Sequence, residues 1–221
     1  MGLIRRDAQR PAYLWMLAGI IALYAVIIVL GDTDAGGLVR VLLLGGLVWS
    51  AARLRTEPSV RRTALVVSAV AIVAAVIVAL FASSRVLYAV VGACSVVLIA
   101  VAAVTIGTSL RGRLIVDIVT VLGVLCIYLL FALFFAGLHQ LLGAFIPEYL
   151  NGTGEFATPS DLLYFSSVTL STVGFGDITP AAEVARAVTV VEALVGQLYL
   201  VSVVAGVVGG WRPPQAGEPR S

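Results

Sequence analysis

Thr158-Pro-Ser-Asp-Leu-Leu-Tyr-Phe-Ser-Ser-Val-Thr-Leu-Ser-Thr-Val-Gly-Phe-Gly-Asp177 is the stretch whose reading decides the fold. It begins as a helix: Thr158 can cap the first turn, Pro159 suits the first helical position, and Asp161 places a carboxylate at the positive helix end. Leu162, Leu163, Tyr164, Phe165 and Val168 make this helix apolar enough to sit partly in a membrane. It is too short to cross one, since a span takes about 20 apolar residues. A short helix that enters and returns is re-entrant, and is tolerated only where protein or a water-filled cavity surrounds it. After it comes Thr172-Val-Gly-Phe-Gly-Asp177, with glycines at alternate positions. Glycine permits backbone angles that other residues avoid. With suitable dihedrals, successive carbonyls here can all point to one side.

The flanking sequence places this segment in a membrane. Of 221 residues, 61% are apolar and 12% charged, against roughly 45–50% and about 25% in soluble domains. Mean hydropathy is +1.09. This excludes a secreted disulfide scaffold, a disordered tail and an ordinary soluble enzyme. Cys94 and Cys126 lie in apolar runs and read as small buried hydrophobes, and His139, the single histidine, has no ligand cluster. Six apolar runs are predicted to span: Tyr13–Leu30, Leu38–Ala52 (short, and carrying Arg40), Ala64–Ala82, Val86–Gly107, Leu114–Leu138 and Ala187–Gly210. The first run is longer than a signal-peptide core and lacks a convincing cleavage site, so it reads as retained.

All 14 basic residues are arginine. Six spans put both termini on one side, together with Arg5, Arg6, Arg10, Arg53, Arg55, Arg61, Arg62, Arg111, Arg113, Arg212 and Arg220; only Arg40, Arg85 and Arg186 fall opposite. The positive-inside bias makes the arginine-rich side cytoplasmic, in a multi-pass protein of the cell membrane. The predicted class is all-α integral membrane: six transmembrane helices, with the re-entrant helix and its glycine-rich loop between helices 5 and 6. Residues 1–12 read as a cytoplasmic tail, 13–107 as a four-helix peripheral bundle, 108–211 as the pore domain and 212–221 as a disordered cytoplasmic tail.

The hexapeptide, its preceding short helix and the long span on each side resemble the tetrameric potassium-channel family, and the resemblance covers Arg111–Gly210. It implies a selectivity filter in which Thr172, Val173, Gly174, Phe175 and Gly176 hold potassium ions. Thr172, Val173, Gly174 and Phe175 donate carbonyls, and the Thr172 hydroxyl closes the innermost cage. Asp177 braces the outer mouth. Tyr164 and Phe165 match the positions of the family's aromatic cuff; ordinary packing is the other reading. Phe175 stands where tyrosine is commoner, but the family also contains GFG filters. Potassium is the permeant ion, and no cofactor is implied. One chain carries one filter copy and a cage needs about four, so the implied partners are three further copies and membrane lipid, with no nucleic acid and no small-molecule ligand domain in this chain.

In span six, Gly196 has the spacing from the filter of the family's hinge glycine. Gln197, Leu200, Val201, Val204 and Val208 fall roughly on one face, which would form cavity and gate. Gln197 either lines the pore or bonds another helix. Glu192, the one carboxylate deep in this span, points away from that face. It bonds the short helix through Ser166, Ser167 or Thr169, or a water behind the filter. Otherwise it reaches external water or Arg186. Span four lacks the arginine row of a voltage sensor. The reading is a potassium channel without steep voltage gating. The alternatives are the pore subunit of a potassium uptake transporter, or a non-conducting accessory or sensor protein on the same fold. No zinc-protease, nucleophile-elbow or phosphate-loop motif is present, and the reading is not an enzyme.

Overall fold

The computed structural model of the protein describes residues 10–31, 33–52, 58–81, 84–110, 118–154 and 156–210. The tail at 212–221, and all but the end of the tail at 1–12, lie outside the described residues. The helices are α1 (Arg10–Leu30), α2 (Asp34–Ala52), α3 (Pro58–Phe81), α4 (Ser84–Leu110), α5 (Ile118–Gly143), α6 (Pro159–Leu170) and α7 (Glu183–Gly210). Two-residue strands β1 (Leu150–Asn151) and β2 (Thr179–Pro180) pair antiparallel, with Leu150 opposite Pro180.

Among the described residues five stretches are long and apolar enough to cross a membrane: Pro11–Leu30, Arg61–Val78, Arg85–Thr108, Ile118–Gly143 and Glu183–Val203. In α2 the apolar part, Val39–Ala52, is shorter. Apolar character runs around these helices, so one stripe buries against protein while the rest stays free for lipid. On α1 the stripe is Tyr13, Met16, Ile20, Leu23 and Ile27, all buried, while Trp15 is 78% exposed.

Helices α4 and α5 pack closely along their length. A Cβ on Gly92 of α4 would come within 2.9 Å of the Leu141 backbone nitrogen on α5. Small residues that let backbones approach are a usual device for packing helices in lipid. Helices α2 and α3 pack on α4, and α1 packs on α2, α5 and α6. Helix α7 packs against α5 and against the short helix α6. Tyr24 Oη of α1 donates to the Leu129 carbonyl of α5 at 2.9 Å, and Tyr199 Oη of α7 donates to Val124 at 2.6 Å. Cys94 and Cys126 are free and buried, as expected.

Helix α5 runs Ile118–Gly143 and so continues past the expected end at Leu138; residues 114–117 of the expected run lie outside the described residues. The apolar run stops at His139 and Gln140, but both are buried with partners. Gln140 accepts from Arg40 Nη2 at 2.6 Å and donates to the Tyr88 carbonyl at 2.9 Å. Helix α7 likewise starts at Glu183 rather than Ala187, because its polar first turn precedes the apolar run.

Candidate functional site

The short helix α6 is built as its sequence directs. Thr158 is the N-cap, Asp161 N donates to Thr158 Oγ1 at 3.1 Å, and Thr158 N donates to Asp161 Oδ2 at 3.0 Å. This reciprocal pair satisfies two donors that a helix start leaves free. At the other end the helix winds down into the glycine-rich loop: Thr172 N donates to Thr169 O at 2.9 Å and Val173 N to Val168 O at 3.0 Å.

In that loop φ is positive at Thr172 (59°), Gly174 (58°) and Gly176 (82°), and not at Val173 or Phe175. This alternation keeps successive peptide groups from flipping to opposite sides as they do in a strand. It is the backbone device by which consecutive N–H groups form anion-binding nests. A left-handed conformation costs an L-residue about 1–2 kcal/mol, so Thr172 holds strain at this position. Strain of this kind clusters at functional sites. The loop is exposed from Ser171 to Asp177, with Phe175 69% exposed.

Tyr164 Oη donates to Asp177 Oδ2 at 2.8 Å, and the Tyr164 ring lies parallel to Phe175 with centroids 6.4 Å apart. The hydrogen bond holds the Asp177 carboxyl below its ordinary value and raises the Tyr164 phenol. A side chain on Gly152 (φ 84°) would strike the Asp177 carbonyl, so the segment before α6 lies directly on the loop's exit. The β1–β2 pairing and the Ala181 N bond to Tyr149 O, at 3.1 Å, fasten the same two segments.

Behind α6 is a fully buried polar cluster. His139 of α5 meets Glu192 Oε2 of α7 through Nε2 at 3.1 Å, and Tyr149 Oη through Nδ1 at 2.8 Å. Phe165 of α6 stands edge-on to the imidazole, 5.2 Å between centroids. Ser166 is completely buried and its hydroxyl interacts with the Glu192 carboxyl; among the described residues neither Ser166 Oγ nor Glu192 Oε1 makes a close, well-aligned hydrogen bond. Burial, and then the Glu192 carboxyl, push the Tyr149 phenol up. Glu192 thus meets two elements: its carboxyl bonds His139 of α5, which the sequence did not announce, and interacts with the Ser166 hydroxyl of α6, one of the expected partners. Arg186 turns instead to the Pro180 carbonyl at 3.3 Å. One histidine, 53 residues away on another helix, carries no local signal of this pairing.

On α7, Gly196 is buried, and a Cβ there would strike the Leu170 carbonyl oxygen at the end of α6. Its place is a close helix approach. Gln197, Leu200 and Val201 are exposed in the single chain, on the side away from buried Glu192. Val204 and Val208 lie on α7, but their side chains fall outside the described residues. The geometry brings Tyr164, Phe175 and Asp177 together on the exposed face of the loop, and Phe165 and Glu192 together with His139 behind α6. Gln197 and Leu200 stand apart from both groups.

Residues 124–209 match a family model described as an ion channel. No curated protein and no solved structure matches the chain significantly. The matched stretch holds most of α5, all of α6 and the loop, and nearly all of α7.

Proposed function

We propose that this chain, whose residues 124–209 match the ion-channel family model, is a membrane channel that conducts potassium passively through a pore to which four copies each contribute one Thr172–Gly176 loop. The single observation that carries the reading is the alternation of positive φ at Thr172, Gly174 and Gly176. Successive carbonyls of Thr172, Val173, Gly174 and Phe175 then face one axis and replace the ion's water shell, with the Thr172 hydroxyl closing the inner end. Asp177, held by Tyr164, braces the outer end. Adjacent sites filled by ions that repel one another let each ion leave as the next arrives.

Assembly is supported by surface. Val173 and Phe175 in the loop, and Val190, Leu194 and Leu198 on α7, are more than half exposed in one chain. Exposed apolar loop backbone is intolerable in lipid but suits the axis of an assembly. Helix α2 has 19 residues, hence a length of about 28 Å, close to the hydrocarbon thickness of about 30 Å. It completes six spans, with α6 re-entrant and both termini cytoplasmic. The chain acts as a conductor rather than as an enzyme, with no cofactor. The test is a subunit count on purified protein, followed by flux from potassium-loaded proteoliposomes. Four subunits and barium-sensitive efflux are expected; a monomer without flux would refute the reading.

A further inference from the structure

Arg40 is only 7% exposed, in an apolar helix, and no carboxylate among the described residues pairs with it. Its guanidinium has five N–H donors. Among the described residues it forms one hydrogen bond, from Nη2 to Gln140 Oε1 at 2.6 Å, and Nε is buried without a partner. A buried cation left in this state is strongly unfavourable unless an anion meets it.

The side chain lines an open cavity of about 270 Å³. Thr33 at the α1–α2 turn, Leu87 and Tyr88 on α4, and Phe156 and Thr158 before α6 complete much of its wall. No residue of α7 or of the Thr172–Gly176 loop contributes, so the cavity is distinct from the conduction site. The apolar span of α1 ends at Leu30, which puts the α1–α2 turn at the depth of the lipid headgroups. The start of α6 adds the positive end of a helix dipole. Asp161, the acid of that first turn, is committed to the Thr158 backbone.

We propose that this cavity binds the phosphate group of an anionic phospholipid, with Arg40 as the principal donor and the acyl chains leaving past Leu87 and Phe156. Arginine's planar fork matches phosphate oxygens bidentately. Bound lipid would fasten α2 and α4 to the segment that leads into α6. The shared chemistry, phosphate on arginine, could also be met by a free anion, and the test separates the two.

Purified full-length protein in detergent is titrated with phosphatidylglycerol, diacylglycerol or inorganic phosphate while its thermal midpoint is followed, since a ligand of the folded state raises it. The parent and Arg85→Gln, which removes an arginine outside the cavity, should be stabilised by phosphatidylglycerol at the same concentrations. Arg40→Gln should need about tenfold more lipid or beyond, the range of a lost charge-assisted hydrogen bond. Leu87→Glu keeps Arg40 but sets a carboxylate in the cavity, and should weaken binding similarly. It carries the test should Arg40→Gln fail to fold. Inorganic phosphate stabilising the parent and Arg85→Gln but neither Arg40→Gln nor Leu87→Glu would support the phosphate site with a free anion as occupant. Unchanged titrations in both Arg40→Gln and Leu87→Glu, or a diacylglycerol effect that depends on Arg40, would overturn the proposal.

Discussion

Replacing Glu192 by valine tests whether the cluster behind α6 holds the loop's scaffold together. Glu192 and His139 are both completely buried, so neither can turn to water when its partner goes. Two magnitudes apply. Removing one member of a buried ion pair costs about 3–5 kcal/mol. If the pair is neutral, a hydrogen bond between membrane helices averages about 0.6 and reaches roughly 1.7 kcal/mol. Stranding the imidazole nitrogen adds about 1–3 kcal/mol. Either way Glu192→Val should lose at least about 2 kcal/mol. Glu192→Gln keeps an oxygen at the same distance and should lose about 1 kcal/mol or less. At about 2–4 °C per kcal/mol, the valine variant should melt about 4–8 °C below the parent in a detergent thermal scan. A buried pair replaced as a whole by apolar residues is often tolerated, so His139→Leu with Glu192→Leu should recover most of the loss. A valine variant that melts with the parent, or a double variant that loses the sum of the two singles, would refute the reasoning.

Three other changes follow from the same geometry. Gly196→Ala drives a methyl into the Leu170 carbonyl and should separate α7 from α6, with loss of flux and of assembly on a sizing column. Tyr164→Phe removes the bond to Asp177 and should speed the decay of current under sustained conduction. Because that bond lowers the Asp177 carboxyl from 3.8, its contribution is complete above that value and is lost as pH falls through the lower one. External pH from about 5 to 8 should therefore leave decay in the parent unchanged. Helix α4 has Arg85 as its one charge, and one charge through 100 mV is worth about 2.3 kcal/mol. Open probability should thus vary shallowly with voltage in planar bilayers, and a steep curve needing many charges would contradict this.

Local chemistry made α6 legible from its sequence. Thr158, Pro159 and Asp161 act within one turn of one another: Thr158 caps the helix and Pro159 opens it as expected, and Asp161, expected only to favour the positive helix end, closes a capping box with Thr158. The alternating glycines announced the backbone of the loop, and Gly174 and Gly176 both take positive φ. Thr172 joins that alternation without being glycine, which residue type alone does not disclose. Span ends were less legible. Apolar runs stop at polar residues, whereas His139, Gln140 and Arg40 continue their helices because distant partners satisfy them. Gly196 stood out by its spacing, but only packing reveals that it faces Leu170. The His139–Glu192 pair depends on how α5 and α7 meet, and no local pattern encodes that.

Ion selectivity tests the central claim most directly. Purified protein in planar bilayers, with potassium on one side and sodium on the other, yields the reversal potential and from it the permeability ratio. The account predicts a reversal potential far toward the potassium equilibrium value, and no current in Gly174→Ala, where a Cβ opposes a φ of 58°. A reversal potential near zero in the parent, with sodium and potassium equally permeant, would contradict the filter assigned to Thr172–Gly176.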